Sequence, residues 1–159
     1  MSLARKYSYR RTLPHLQKDD RPVFVTFCTL NRWNLPDGAR RAALQSCFEE
    51  NGRSMALHAA VVMPDHVHLI FTANRKPDGW NFSLPEILQA VKSRSARAVN
   101  AILQRIGPVW QSESFDHMLR SNENLGDKVE YLLMNPVRAG LVQDWKEYAW
   151  LWRGEIPVI

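Results

Sequence analysis

Two runs of strand-forming residues, 57–63 and 66–72, are separated only by Pro64 and Asp65. Both runs are rich in apolar and β-branched residues, a composition typical of strands that are buried in a sheet. Proline and aspartate favour a tight turn, so the two runs are predicted to pair as an antiparallel hairpin. Any fold for this chain must therefore contain a sheet that includes this hairpin.

The second strand of the hairpin carries His66 and His68 on either side of Val67. Alternate residues of a strand point to the same face, so both imidazoles project together while Val67 points the other way, into a core. Two imidazole nitrogens on one face can bind one metal ion. A pair of surface or core histidines without a ligand would give the same pattern.

The remaining elements follow from residue patterns. They are a strand at 23–29, helices at 39–51, 83–105 and from 121 or 122 to about 134, short strands at 109–111 and 115–119, and an aromatic helix or turn at 144–152. Ser83 and Glu86 form a capping box at the start of the longest helix. Strands and helices mix without regular βαβ alternation. This order favours an α+β fold, a ferredoxin-like antiparallel sheet with helices on one face.

Composition indicates a soluble globular protein with one domain. A length of 159 residues fits one domain with a core of its own. No apolar run approaches the roughly 18 residues that would cross a bilayer, so no membrane association is expected. Cys28 and Cys47 lack metal-ligand or redox spacing, so we expect reduced thiols in a cytoplasmic protein. We divide the chain into a basic arm at 1–20 and a single domain at 21–159.

A net charge of +5 favours a polyanionic partner, most commonly a nucleic acid. In the arm, Arg10 and Arg11 accompany tyrosines, which suits phosphate binding and base stacking, although a poorly ordered terminus has the same composition. In the longest helix, Arg94, Arg97 and Arg105 fall on one arc of about 80°. That arc could follow a phosphate backbone, or it could be an ordinary solvated face.

A second informative segment ends the helix before Pro136. Tyr131 and Asn135 are four residues apart, so they lie one above the other on one helical face. The apolar stripe of this helix is a different one, formed by Leu125, Val129, Leu132 and Leu133. Tyr131 is therefore not needed to fill the core and is available for chemistry, although a tyrosine beside a carboxamide on an exposed helical face can also be accidental.

Together with the histidine pair, this segment suggests a metal-assisted reaction at phosphorus. Two imidazole nitrogens from His66 and His68 and the amide oxygen of Asn135 make a ligand set with open positions, which suits Mg²⁺ or Mn²⁺ better than structural zinc. Tyr131 could then attack a bound phosphate in line. A free tyrosine titrates near pH 10, so forming the phenolate at pH 7 costs roughly 4 kcal/mol unless a cation helps. Lys128 is a candidate for that cation, or simply a solvated lysine.

These residues resemble the single-tyrosine HUH transposases of the IS200-like superfamily and, within them, the REP-associated tyrosine transposases of bacteria. HUH denotes two histidines around a hydrophobic residue. The resemblance covers most of the chain, roughly from Val23 to its end. Its segments are 63–69 around the histidines, then 92–96, 107–111 and 115–117, and finally Tyr131 to Val142 with its Asn-Pro-Val-Arg-Ala-Gly turn.

The resemblance implies a fold and a reaction. The fold is ferredoxin-like with the histidine pair on a central strand. Tyr131 would form a 5′-phosphotyrosine with cleaved single-stranded DNA at a palindromic hairpin, and Asn135 would complete the metal site of His66 and His68. Asn135 favours the REP-associated branch, because insertion-sequence relatives usually have glutamine there. The protein would act in the bacterial cytoplasm near the nucleoid.

Residues outside that ligand set are candidates for DNA contact. They are Arg10, Arg11, Arg94, Arg97, Arg105, His117 and Lys128. Two alternatives to a strand transferase remain open at this point: a non-catalytic hairpin-binding regulator, and a metal hydrolase that uses water. The protein could be a monomer with its tyrosine acting in cis, or a homodimer that exchanges the tyrosine helix. The loop 120–124 would decide between them.

Overall fold

The computed structural model describes residues 20–154. The predicted basic arm, including Arg10 and Arg11, therefore lies outside the described residues except for its last position. The strands β1–β5 are Val23–Thr29, Met55–Val62, His66–Ala73, Trp110–Met118 and Leu151–Arg153. The helices α1–α4 are Asp37–Glu50, Leu84–Leu103, Leu125–Leu133 and Asn135–Arg138.

The five strands form one antiparallel sheet in the order β4-β1-β3-β2-β5. The first six elements run β1-α1-β2-β3-α2-β4, which is the ferredoxin-like arrangement. The α+β class is therefore confirmed, and β3, with both histidines, lies at the centre of the sheet.

The hairpin forms as predicted. Val62 of β2 pairs with Val67 of β3, and the Met63 amide donates to the His66 carbonyl at 2.8 Å. Pro64 and Asp65 make the turn between them. This short connection fixes the register of β3, and with it the face to which each histidine points.

The helices do not all lie on one face, so this part of the prediction is wrong. Helices α1 and α2 pack on the face that includes Val67 and Leu69. Helix α3 packs on the opposite face, against Ile70 and Val61. The apolar stripe of α3 required a buried surface, and both sides of this sheet offer one.

Other elements differ from the sequence predictions as well; α3, for example, begins at Leu125 and not at 121 or 122. Helix α2 ends at Leu103 because Gln104 adopts a left-handed conformation with φ 51°, so Arg105 lies beyond the helix. The two short strands predicted at 109–119 are one strand, β4, with a register shift opposite β1. The aromatic segment is a 3₁₀ turn at Trp145–Glu147 followed by β5, which extends the sheet beside β2.

Two further observations concern the predicted setting of the chain. Cys28 and Cys47 are both free thiols, as expected from their spacing. Within residues 20–154, no helix is long and apolar enough to span a bilayer.

Candidate active site

The two histidines lie next to each other on the face of the sheet that α3 covers. Their ring centroids are 4.7 Å apart and the rings are nearly perpendicular, at 78°. Between them, Val67 points to the opposite face and is fully buried beneath α1 and α2. Ile70, two residues after His68, packs in the cluster that contains Val129 and Leu132 of α3. Strand alternation therefore places both imidazoles on the same side as the helix that carries Tyr131.

His66 is oriented by the carboxylate of the preceding residue. Its Nδ1 lies 2.7 Å from Oδ1 of Asp65, whose Oδ2 accepts a hydrogen bond from Nε of Arg32 at 2.9 Å. Burial opposes the charge on Asp65, but the hydrogen bonds from Arg32 and His66 outweigh it and lower the pKa of this carboxyl. An ionised carboxylate only accepts hydrogen bonds, so it places the His66 proton on Nδ1.

His68 is oriented by a residue of the neighbouring strand. Thr26 of β1 pairs with it in register, and the threonine Oγ1 lies 2.7 Å from Nδ1 of His68. Burial lowers the pKa of His68 to about 3, with smaller contributions from the charges of His66 and Arg138. This imidazole is therefore neutral at pH 7, as a metal ligand must be.

The donor set fits a divalent metal ion. Both Nδ1 atoms are engaged, and neither Nε2 makes a hydrogen bond to any residue in 20–154. Engagement of one ring nitrogen by an outer partner is the usual way to orient the other toward a metal. No group of three or more histidine, cysteine, aspartate or glutamate side chains in the described part of the chain could hold a metal. A metal at this pair would therefore need another type of ligand, and the amide oxygen of Asn135 is the predicted one.

Tyr131 and Asn135 lie at the junction of α3 and α4. Tyr131 is near the end of α3 with 59% of its surface exposed, so its hydroxyl is accessible to a large substrate. Asn135 opens α4 one residue after the Met134 cap, and its Nδ2 donates to the Leu132 carbonyl at 3.2 Å. The helix predicted to reach about residue 134 ends at Leu133, so Tyr131 and Asn135 occupy adjacent turns of two consecutive helices.

Arg138, to which the sequence patterns assigned no role, joins these two residues. Its Nη2 donates to the Tyr131 carbonyl at 2.6 Å and to Oδ1 of Asn135 at 3.0 Å. Its guanidinium carbon lies 4.0 Å from the centroid of the Tyr131 ring. The charge of Arg138 is also the smallest of the causes that lower the pKa of His68.

Lys128 and His117, two predicted DNA contacts, both pair with Glu123. The carboxylate of Glu123 lies 3.2 Å from Nζ of Lys128 and 2.9 Å from Nε2 of His117, and it accepts from the Arg120 amide at 2.8 Å. These hydrogen bonds, that of the Arg120 amide first, lower the pKa of Glu123 to about 2. Lys128 is thus engaged by Glu123, and the cation found on the Tyr131 ring is Arg138.

The predicted arc of arginines on α2 is not present. Arg94 points to α1 and forms ion pairs with Glu49 at 3.7 Å and Glu50 at 3.6 Å. Arg105 follows the helix and donates to Asn100 and to the Pro108 carbonyl. Arg97 is exposed, with no hydrogen bond or ion pair to other residues in 20–154. It is the member of this group that is open to a ligand.

Sequence reasoning missed four residues around the site: Thr26, Arg32, Asp65 and Arg138. The sequence pattern could have indicated Asp65, because a carboxylate beside a candidate ligand histidine is a common outer partner. It could also have indicated Arg138, which follows Asn135 by three residues and Tyr131 by seven, a spacing that repeats on one helical face. No sequence pattern indicates Thr26, because its role depends on the register of β1 against β3.

Comparison with known proteins gives a family match. A family model described as "Transposase IS200 like" matches residues 22–123, which include both histidines and end before Tyr131. A REP-associated tyrosine transposase of Escherichia coli (strain K12) is 28% identical over 96 residues, 58% of this chain and 53% of the relative. A protein of Haemophilus influenzae (strain ATCC 51907 / DSM 11121 / KW20 / Rd), provisionally described as a REP-associated tyrosine transposase, is 25% identical over 114 residues.

The matches differ in how much of each protein they cover. The segment shared with the Haemophilus protein is 67% of this chain and 63% of that relative, so the chain spans less than two thirds of either curated protein. A solved structure of a REP-associated tyrosine transposase bound to a REP hairpin superposes with a TM-score of 0.65 at 18% identity. The superposition covers 100% of this chain and 95% of the chain in the solved structure, which shows that the two proteins share a fold.

Proposed function

The chain belongs to the IS200-like transposase family, and from this membership we propose that it cleaves and rejoins single-stranded DNA at palindromic hairpins of the REP type. Two curated relatives are described as REP-associated tyrosine transposases, and a protein of the same fold was solved with a REP hairpin. In this proposal the protein works on DNA in the bacterial cytoplasm. The main support is the contact of Arg138 with both Tyr131 and Asn135, at the end of the helix that packs on the same side of the sheet as the two histidines.

The proposed metal ligands are Nε2 of His66, Nε2 of His68 and Oδ1 of Asn135. Support comes from the engaged Nδ1 atoms, which leave both Nε2 atoms for a ligand. Bound Mg²⁺ or Mn²⁺ would polarise the scissile phosphate as a Lewis acid. Asp65 and Thr26 keep the two rings oriented, so they reduce the entropy that ligand binding would otherwise cost.

Tyr131 is the proposed nucleophile. Its hydroxyl oxygen attacks the phosphorus, the bond from phosphorus to the 3′ oxygen breaks, and a 5′-phosphotyrosine and a free 3′-hydroxyl result. The phenolic proton passes to solvent and the 3′ oxygen takes one up. The reverse attack by a 3′-hydroxyl restores the DNA and the tyrosine. Because the covalent intermediate retains the phosphodiester bond energy, rejoining needs no external energy source.

We propose that Tyr131 acts in cis, in a monomer. Helix α3 is packed on the sheet of its own chain through Val129, Leu132 and Leu133, all of them buried. The loop that precedes α3 is tied to β4 and α3 by Glu123, which binds His117 and Lys128. Exchange of α3 between subunits would require these contacts to break and form again across an interface.

The proposal is tested with purified protein, a hairpin-bearing single strand and Mn²⁺ or Mg²⁺, resolved on a denaturing gel. A band of covalent protein–DNA adduct, dependent on the metal, is the expected result. Binding of the hairpin without cleavage would instead favour a non-catalytic regulator. Cleaved DNA without any adduct would indicate that water, and not a tyrosine, attacks the phosphate.

A further inference from the structure

Arg138 holds both the proposed nucleophile and the proposed third ligand. One terminal nitrogen, Nη2, donates to the backbone carbonyl of Tyr131 and to the side-chain oxygen of Asn135. The guanidinium carbon also lies 4.0 Å from the centroid of the Tyr131 ring, a distance typical of a cation–π contact. These contacts restrict the rotamers of Tyr131 and Asn135 together.

The same contacts oppose metal binding. An amide oxygen has two lone pairs, and in this arrangement one of them already accepts a hydrogen bond from Arg138. The donor nitrogen belongs to a cationic guanidinium, and it lies 3.0 Å from the oxygen that would bind the metal. A divalent cation bound through the second lone pair of that oxygen would therefore compete with an existing hydrogen bond for its electron density and be repelled by the nearby positive charge.

A DNA phosphate would relieve both effects. Arg138 is exposed, so a phosphate can reach its guanidinium from solvent. Arginine binds phosphate through two parallel hydrogen bonds, which are stronger than a bond to a neutral amide oxygen. When the guanidinium turns to a phosphate, Asn135 regains its lone pair and the positive charge beside its oxygen is neutralised.

We propose that Arg138 is a positioning residue that makes metal binding at His66, His68 and Asn135 depend on the presence of DNA. This inference rests on the proposed function, because it takes the metal site and the DNA substrate from it. Without DNA, the hydrogen bond from Arg138 to Oδ1 of Asn135 weakens metal binding. With DNA, the guanidinium binds a phosphate instead, and Oδ1 of Asn135 completes the metal site. Metal and DNA then bind cooperatively, and each raises the affinity of the other by the same factor.

The test is a calorimetric titration of Mn²⁺ into the protein with and without a hairpin-bearing single strand. The Tyr131→Phe background prevents cleavage and keeps the ring on which Arg138 rests. With Arg138 intact, we expect the DNA to raise the Mn²⁺ affinity by about fivefold or more. With Arg138→Gln added, we expect tighter Mn²⁺ binding without DNA and little further gain with it. Arg41→Gln, at an exposed arginine of α1 on the opposite face of the sheet, is the matched control and should leave the Mn²⁺ affinities unchanged.

Arg138→Lys separates charge from hydrogen-bond geometry. Lysine keeps the positive charge but cannot donate to two oxygens in the planar geometry of a guanidinium. We therefore expect Arg138→Lys to raise the Mn²⁺ affinity without DNA, but by less than Arg138→Gln does. Melting temperatures confirm that each variant is folded, and if Arg138→Gln does not fold the lysine variant alone decides. Mn²⁺ affinity equal to that of the parent in the folded variants would overturn the proposal.

Two histidine variants separate this inference from the proposed function. If His66→Ala and His68→Ala abolish Mn²⁺ binding while Arg138→Gln behaves like its parent, the metal site stands and the role of Arg138 is wrong. If the histidine variants bind Mn²⁺ as the parent does, the metal site itself is wrong, and the inference fails with it.

Discussion

Asp65 and His66 are consecutive residues, and Oδ1 of the first lies 2.7 Å from Nδ1 of the second. Arg32 forms an ion pair with the other carboxylate oxygen, and this ion pair holds Asp65 in the position that orients the imidazole. We predict that Asp65→Ala lowers the Mn²⁺ affinity about 10- to 100-fold, as loss of an outer partner does at known metal sites. Calorimetric titration measures this directly. An unchanged affinity would mean that Asp65 does not orient a ligand.

Thr26→Val tests the outer partner of the second histidine, His68, as Asp65→Ala tests that of His66. Valine has nearly the shape of threonine but leaves Nδ1 of the partly buried His68 without its hydrogen bond. An unpaired polar group of this kind costs about 1–3 kcal/mol of stability. We therefore expect Thr26→Val to lower both the melting temperature and the Mn²⁺ affinity. If the Mn²⁺ affinity is unchanged while the melting temperature falls, the role of Thr26 is structural only.

The assignment of Tyr131 to its own chain predicts the outcome of a mixing experiment. Tyr131→Phe lacks the nucleophile and His68→Ala lacks a proposed ligand, so each alone should be inactive. If the tyrosine acts in cis, a mixture of the two remains inactive, because neither chain holds a complete site. Cleavage restored on mixing would show that the site is shared between subunits. The gel that detects the covalent adduct is the readout.

Arg94 and Arg97 lie on the same helix, and we expect substitution of the first to affect stability and substitution of the second to affect DNA binding. Arg94→Gln leaves the buried carboxylate of Glu50 without its cation, so we expect a loss of about 1–3 kcal/mol of stability. Arg97→Gln should leave stability within about 0.5 kcal/mol. It should weaken hairpin binding and reduce the salt dependence of binding by about one unit of slope. Denaturant titration and binding at several salt concentrations distinguish the two.

These contrasts show what the sequence could and could not predict. The hairpin and its histidine pair are local features, set by a two-residue turn and by strand alternation. Tyr131 and Asn135 are also close in sequence, so their proximity was predictable despite the break at Met134. The side of the sheet that α3 covers could not be predicted, because the apolar stripe of this helix requires a buried surface but does not specify which face of the sheet provides it. Similarly, Arg94 has the spacing of an exposed arc, and only packing against α1 turns it into an internal ion pair.

Asp116 predicts a pH dependence that is independent of the metal site. Its carboxyl is buried on β4, its Oδ1 has no hydrogen-bond partner in the described structure, and burial raises its pKa to about 6. Between its unfolded pKa near 4 and about 6, the folded state binds more protons than the unfolded state, so this group destabilises the protein as the pH rises.

Asp116→Asn removes that charge at every pH. We therefore expect the variant to be more stable than the parent at pH 7.5 and the difference to shrink toward pH 5, where Asp116 itself is largely protonated. Melting temperatures of both proteins across this range measure the difference. A difference that does not vary with pH would show that Asp116 does not titrate in this window.

The proposed covalent bond between Tyr131 and DNA can be tested by mapping the residue that carries the adduct. The protein is incubated with a hairpin-bearing single strand and Mn²⁺, the DNA is trimmed, and the modified peptide is identified by mass spectrometry. We predict a nucleotide on the peptide that contains Tyr131, and no adduct in Tyr131→Phe although it binds the hairpin with parental affinity. A nucleotide on another residue, or an adduct formed by Tyr131→Phe, would show that Tyr131 is not the nucleophile.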